Sequence, residues 1–142
     1  SSGNDPIYEE QTYEMGRLIA KLGFRLDYGF SDSGVMGAVA KGVLDSWTKD
    51  GKKKKTTPIH AVTTKEYLAL YESDEVLEQV SDIIVAHSLE ERKQQLLDAD
   101  FVIFTPGGVG TLDELSYDCV AMQDGFLNFK PLIKKFCLVS LL

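Results

Sequence analysis

Phe101-Val102-Ile103-Phe104-Thr105-Pro106-Gly107-Gly108-Val109-Gly110-Thr111-Leu112-Asp113-Glu114 is the stretch on which the reading of this chain turns. Its first five residues are mostly apolar, β-branched or aromatic, the mark of a buried strand. Pro106-Gly107-Gly108 stops that strand. From Gly110-Thr111 onward, Leu112, Leu115, Cys119 and Met122 recur at helical spacing. A strand, a glycine turn and a helix start, in that order, make an anion site. Glycines let the backbone approach a phosphate closely, and the free N–H groups and positive dipole end of the helix attract it. Thr111 and Glu114 stand three apart at the helix start and have two readings. One is a capping box, in which Thr111 accepts from the Glu114 N–H and Glu114 reaches back. The other is a hydroxyl on a phosphate and a carboxylate aimed at a bound sugar. Spacing leaves both open, because strand–glycine–helix turns are common in α/β folds.

Outward from this stretch, strand and helix signals alternate. Asp5 can cap a helix with Pro6 at its first position. Tyr8, Thr12, Met15 and Ile19 follow at helical spacing until Gly23 ends the helix. Phe24–Tyr28 reads as a strand, Gly29–Gly34 as a polar turn, and Gly34–Trp47 as a helix with Val35, Val39, Val43 and Trp47 on one stripe. That is a second strand–turn–helix unit, either another anion turn or a plain connection. Lys49–Lys55 reads as a solvated loop with four consecutive lysines. Thr57–Val62 is expected as a strand, and Thr63–Ser81 carries the weakest signal, with one or two helical turns over Glu66–Tyr71. Asp82–His87 reads as a buried strand. Ser88 and Glu91 form a capping box ahead of a helix over Glu90–Leu97, with Arg92 near its start. Pro131–Val139 is expected as the last strand. The alternation implies an α/β fold, a parallel sheet with helices on both faces and right-handed crossovers. The turns after Tyr28, His87 and Thr105 then share the carboxyl edge of the strands, where such sheets bind ligands.

With 142 residues, 44% hydrophobic and 26% charged, the chain has the composition of one ordinary domain with a core. A net charge of −7 argues against non-specific nucleic-acid binding but not against a small anion at a local site. Cys119 and Cys137 are too few and too far apart for a disulfide framework or a zinc site, and two buried reduced thiols of a cytoplasmic protein are the expectation. His60 and His87 stand alone, so no metal site is expected. No membrane-length apolar run or signal peptide is visible. There is no GxGxxG and no GxxxxGK[ST], which disfavours a dinucleotide oxidoreductase and a P-loop NTPase.

Four segments carry a resemblance that covers nearly the whole chain. Pro106–Glu114 resembles the PGGxGTxxE signature of the LONELY GUY family of cytokinin riboside 5′-monophosphate phosphoribohydrolases, formerly labelled lysine decarboxylases. Arg92-Lys93 matches that family's Arg-Lys pair about twenty residues upstream. Ser1–Tyr8 resembles its first loop, SSxGxxPxY, and Tyr28–Ala40 resembles YGGGxxGLMGxVA. Phe30 and Ser31 depart from the second and third glycines of the last motif. Leu89-Glu90 stands where the family has Met-His. The family's opening strand before Ser1 and its helix beyond Leu142 are not in the sequence, so residues 1–142 are expected to form a single nucleotide-binding domain lacking both.

The resemblance implies a Rossmann-like fold with the PGGxGTxxE turn at the strand carboxyl ends. It implies hydrolysis of the N-glycosidic bond of a nucleoside 5′-monophosphate, N6-prenylated AMP included, to free base and ribose 5-phosphate. It assigns catalysis to Arg92 and Glu114, and substrate and phosphate binding to Ser2, Gly34, Lys93, Gly107, Gly108, Gly110 and Thr111. It implies no cofactor and a homodimer, for which the stripes around Trp47 and over Leu115–Met122 are candidate faces. The residue chemistry agrees. Breaking a C–N bond at an anomeric carbon builds positive charge on the sugar, which a carboxylate offsets. The alternative is a non-catalytic carrier of a nucleotide or pterin cofactor on the same fold, which would not need the Arg92 and Glu114 pair. Lysine decarboxylation is disfavoured, since nothing marks a Schiff-base lysine.

Overall fold

The computed structural model describes residues 6–71, 73, 77, 80–105, 113, 115–117 and 135–139. The first helix, α1 (Pro6–Lys21), starts on its proline and ends at Gly23, whose φ of 76° turns the chain so that the N–H groups of Leu22, Gly23 and Phe24 all find carbonyls in the last turn. Strand β1 (Arg25–Tyr28) leads through a turn into α2 (Gly34–Lys49). A short 3₁₀ turn (Lys54–Thr56) precedes β2 (Ile59–Thr64), followed by α3 (Lys65–Tyr71), β3 (Asp82–Ala86), α4 (Leu89–Leu97), β4 (Phe101–Phe104) and β5 (Lys135–Val139).

The five strands form one sheet in the order β3-β2-β1-β5-β4, and every neighbouring pair is parallel. The expected α/β architecture is therefore present. From β1 to β2 to β3 the chain steps one way across the sheet. From β3 to β4 it returns to the opposite edge. Right-handed crossovers in opposite directions place their helices on opposite faces. Packing agrees with that rule. Ile19, Ala20, Met36, Val39, Ala40 and Val43 of α1 and α2 cluster with Leu26, Tyr28, Ile59 and Ala61 on one face. Leu96 and Leu97 of α4 cluster with Val62, Ile84, Val102, Phe104 and Tyr117 on the other. Full burial of a side chain the size of Leu26, Val39, Val43, Ile59 or Val62 contributes roughly 1.5–3 kcal/mol.

Three expectations shift. The strand predicted over Thr57–Val62 runs two residues later. Pro58 has no N–H for a ladder, its carbonyl accepts from Leu26 N at 2.8 Å, and Thr57 closes the 3₁₀ turn. Thr63 and Thr64 instead extend the pairing opposite Val85 and Ala86. The second shift concerns β3 and β4, predicted as buried. They are the two edges of the described sheet, and Val85 is 38% and Phe101 40% exposed. An apolar run marks a strand but not its place in the strand order. The third concerns the α2 stripe, which could face either a partner or its own sheet, and most of which faces the sheet. Val35, Val39 and Val43 are buried within the chain itself, and Trp47 is engaged locally, its Nε1 donating to Lys53 O at 3.1 Å with Lys52 Nζ 4.0 Å from its ring centroid.

Candidate functional site

Because all strands run the same way, the ends of β1, β2 and β3 share one edge, and α4 starts there. Ser88 caps that helix in extended conformation, its Oγ accepting from Glu91 N at 3.1 Å. The Glu91 carboxylate accepts from His87 N at 2.8 Å, one residue before the cap. This is the predicted capping box with its return bond displaced by one position. It sets the start of α4 firmly, and Arg92 follows within the first turn.

Arg92 reaches across β2 toward β1. Its Nε donates to Val62 O at 3.0 Å and its Nη2 donates to Gly29 O at 3.1 Å. The guanidinium carbon lies 5.4 Å from the centroid of the Tyr67 ring on α3, within cation–π range. Groups at the ends of β1 and β2 thus hold one arginine from the helix after β3 over the carboxyl edge of the sheet. The planar fork of Arg makes it suited to fixing a carboxylate, phosphate or sugar hydroxyl at that edge.

Lys93 points to the neighbouring segment. Its Nζ pairs with Asp113 at 3.0 Å and Glu90 at 3.6 Å, and lies 4.7 Å from the Tyr117 ring centroid. Partial burial works against the Lys93 charge, but the Asp113 hydrogen bond and the charges of Asp113 and Glu90 outweigh it and raise its pKa above the ordinary lysine value. Asp113 immediately precedes Glu114 in the chain, so this ion pair ties the helix bearing Arg92 to the signature stretch. Gly34 opens α2 with φ 59°.

The turn after β1 is where this chain departs from the family's glycine pattern. Phe30 has φ 62°, the left-handed region that costs an L-residue about 1–2 kcal/mol. Its phenyl ring is 1% exposed and packs in the cluster under α2, which compensates for the strain. Ser31 is also buried, and its Oγ accepts from Ser33 N at 3.3 Å. Asp32 Oδ2 accepts from Ser73 Oγ at 2.9 Å. Below the turn, the Tyr28 hydroxyl is buried with no hydrogen-bond partner among the described residues. Burial, then the Asp32 charge, pushes its pKa far above the usual phenol value.

Of the predicted site residues, the structure brings Arg92, Lys93 and Gly34 to this edge. Ser2, Gly107, Gly108, Gly110, Thr111 and Glu114 lie outside the described residues. Sequence reading missed Tyr67, in the segment with the weakest signal, and missed Gly29 as a partner of Arg92, although the glycine directly follows a strand at a predicted ligand edge. Among the described residues no three His, Cys, Asp or Glu side chains group to hold a metal ion, and no helix is long and apolar enough to cross a membrane.

Fold and site together define an α/β protein with a parallel sheet, at whose strand carboxyl ends an arginine is fixed by main-chain carbonyls. The family described as possible lysine decarboxylase matches residues 36–133, and the chain belongs to it. Among individual proteins, it is 36% identical over 129 residues to the cytokinin riboside 5′-monophosphate phosphoribohydrolase of Mycobacterium tuberculosis, covering 87% of this chain and 60% of that protein. It is 30% identical over 132 residues to the enzyme of the same name from Rhodococcoides fascians, covering 92% of this chain and 61% of that protein. It is 29% identical over 116 residues to cytokinin riboside 5′-monophosphate phosphoribohydrolase LOG of Oryza sativa subsp. japonica, covering 81% of this chain and 43% of that protein. The chain thus spans about three fifths of the two bacterial relatives' length.

Proposed function

We propose that this protein hydrolyses the N-glycosidic bond of adenosine 5′-monophosphate or its N6-prenylated form, releasing the base and ribose 5-phosphate. The observation that carries the reading is Arg92, held by Val62 O and Gly29 O at the carboxyl edge of the sheet, in a chain whose relatives are named for this activity. The name of the family itself points to decarboxylation of lysine. The relatives' shared name favours the glycosidic reaction, and an arginine at the strand carboxyl ends suits it.

In that reaction the bond between the anomeric carbon and the base nitrogen breaks, and its electron pair leaves with the base. Positive charge develops on the sugar, water adds its oxygen to the anomeric carbon, and the base nitrogen ends protonated. To Glu114 falls the role of offsetting that charge and of orienting or deprotonating the water. Arg92 holds Glu114 or the ribose hydroxyls. Gly107, Gly108, Gly110 and Thr111 hold the phosphate with helix N–H groups, assisted by Ser2, Gly34 and Lys93. The protein acts as a homodimer in the cytoplasm.

The test is to incubate the protein with AMP and with prenylated AMP and to chromatograph the released base. Base release supports the reading. Nucleotide binding by calorimetry with no base released would instead favour a carrier of nucleotide or pterin cofactor.

A further inference from the structure

We infer that Gly29 is a positioning residue for Arg92: its bare α-carbon leaves the volume that the guanidinium fills, and its carbonyl holds Nη2 there. The inference rests on the assignment of Arg92 to the reaction.

Gly29 has no conformational need to be glycine. It is not among the described glycines with positive φ, which are Gly23, Gly34 and Gly51. What it needs is space. A Cβ built on Gly29 would overlap Arg92 Nη2 and would lie 3.2 Å from Met36 Sδ. Both neighbours are ends of flexible side chains, so a methyl group there would displace them rather than break the fold. The displaced group would be the one at the ligand edge.

The Gly29 carbonyl is itself held. It belongs to the peptide joining Gly29 to Phe30, whose orientation depends on φ of Phe30. That angle is 62°, and the buried phenyl ring keeps it there. Phe30 locks the peptide, the peptide aims its carbonyl at Nη2, and Val62 O takes Nε from the neighbouring strand. Two fixed acceptors leave the guanidinium plane little rotational freedom. A misplacement of about 1 Å is enough to cost roughly 10²-fold in rate.

The experiment is a double-mutant cycle of Gly29→Ala and Arg92→Ala. It is read by base release from AMP or prenylated AMP, by melting temperature, and by the ¹⁵N–¹H resonance of the Arg92 side-chain Nε. Gly29→Ala is expected to lower kcat by about 10- to 10²-fold with KM within about twofold, to shift the Arg92 Nε resonance, and to add no further loss in the Arg92→Ala background. Wild-type kcat in Gly29→Ala, or losses that multiply in the double variant, would overturn the positioning role. If Gly29→Ala unfolds the protein, the Arg92→Ala background should restore folding by removing the overlap. Failure to fold in both backgrounds would overturn it too. Should the wild type release no base from either nucleotide, the proposed function fails. The Nε resonance still decides whether Gly29 positions Arg92, an unshifted resonance ruling it out.

Discussion

Arg92 Nη2 donates to Gly29 O across 63 positions of sequence. The bond joins the first turn of α4, on one face of the sheet, to the turn after β1, whose chain continues into a helix on the other face. Parallel order makes this possible, since the carboxyl ends of β3 and β1 lie on one edge with only β2 between them.

Glu114→Gln keeps the size of the side chain and its capping capacity but removes the charge. Melting temperature and AMP affinity should stay near wild type while turnover falls by roughly 10²-fold or more. Arg92→Ala should also slow turnover, and the double variant should lose less than the product of the two. Wild-type base release by Glu114→Gln would leave only the capping role, for which Gln serves as well.

Gly108→Val places a branched side chain where a phosphate should approach the backbone. Calorimetric titration with AMP should show binding weakened at least tenfold. Unchanged affinity would move the phosphate elsewhere.

Phe30 reverses the usual ranking of alanine and glycine. Phe30→Ala and Phe30→Gly both remove the buried ring, at about 3–5 kcal/mol. Alanine keeps a Cβ at φ 62°, and glycine does not. Urea denaturation should find the glycine variant more stable than the alanine variant by about 1 kcal/mol. The opposite order would show that the strain is not retained in solution.

Tyr28→Phe removes a buried hydroxyl without a described partner. A buried group left unsatisfied costs about 1–3 kcal/mol; the variant is expected to melt at or above the wild-type temperature at pH 7, and a lower melting temperature would reveal a partner outside the described residues. Tyr28 also has a raised folded pKa, from burial first and the Asp32 charge second. This titration leaves stability unchanged below the ordinary tyrosine pKa of about 10 and lowers it as pH rises beyond that value, because the unfolded chain ionises there while the buried hydroxyl stays protonated. Tyr28→Phe should therefore lose less stability than wild type between pH 9 and 11, roughly the window around that pKa. Parallel pH profiles for the two proteins would refute the assignment.

The homodimer is checked by light scattering at micromolar concentration. A dimer mass is expected, and since Val35, Val39 and Val43 are buried within the chain, the α2 side chains left for a partner are those around the half-buried Trp47. Exposed Leu89 and Leu115 border the site segments and are the substitutions to try. A monomer mass would reject the assembly.

Local patterns predicted a good deal of this. Gly23 as a helix end, the Ser88–Glu91 cap and the alternation that makes the sheet parallel all depend on residues within a few positions of one another, so a linear reading finds them. Val35, Val39 and Val43 showed one apolar stripe, but periodicity does not say whether a stripe faces the chain's own core or a partner. The stretch with the most specific pattern, Pro106–Glu114, touches the described site through Asp113, whose pairing with Lys93 no local pattern announced.

By itself, then, the sequence determined the element types, the family and the presence of Arg92 near a helix start at a strand-end edge. Tertiary structure alone decided which strands became edges, leaving Val85 and Phe101 half-exposed, and where the Arg92 fork comes to rest. The physical reason is range. Caps and helical stripes arise from contacts within a turn or two of chain. The Arg92 bonds to Val62 and Gly29 span 30 and 63 positions, and they exist only once right-handed crossovers have laid β1, β2 and β3 side by side.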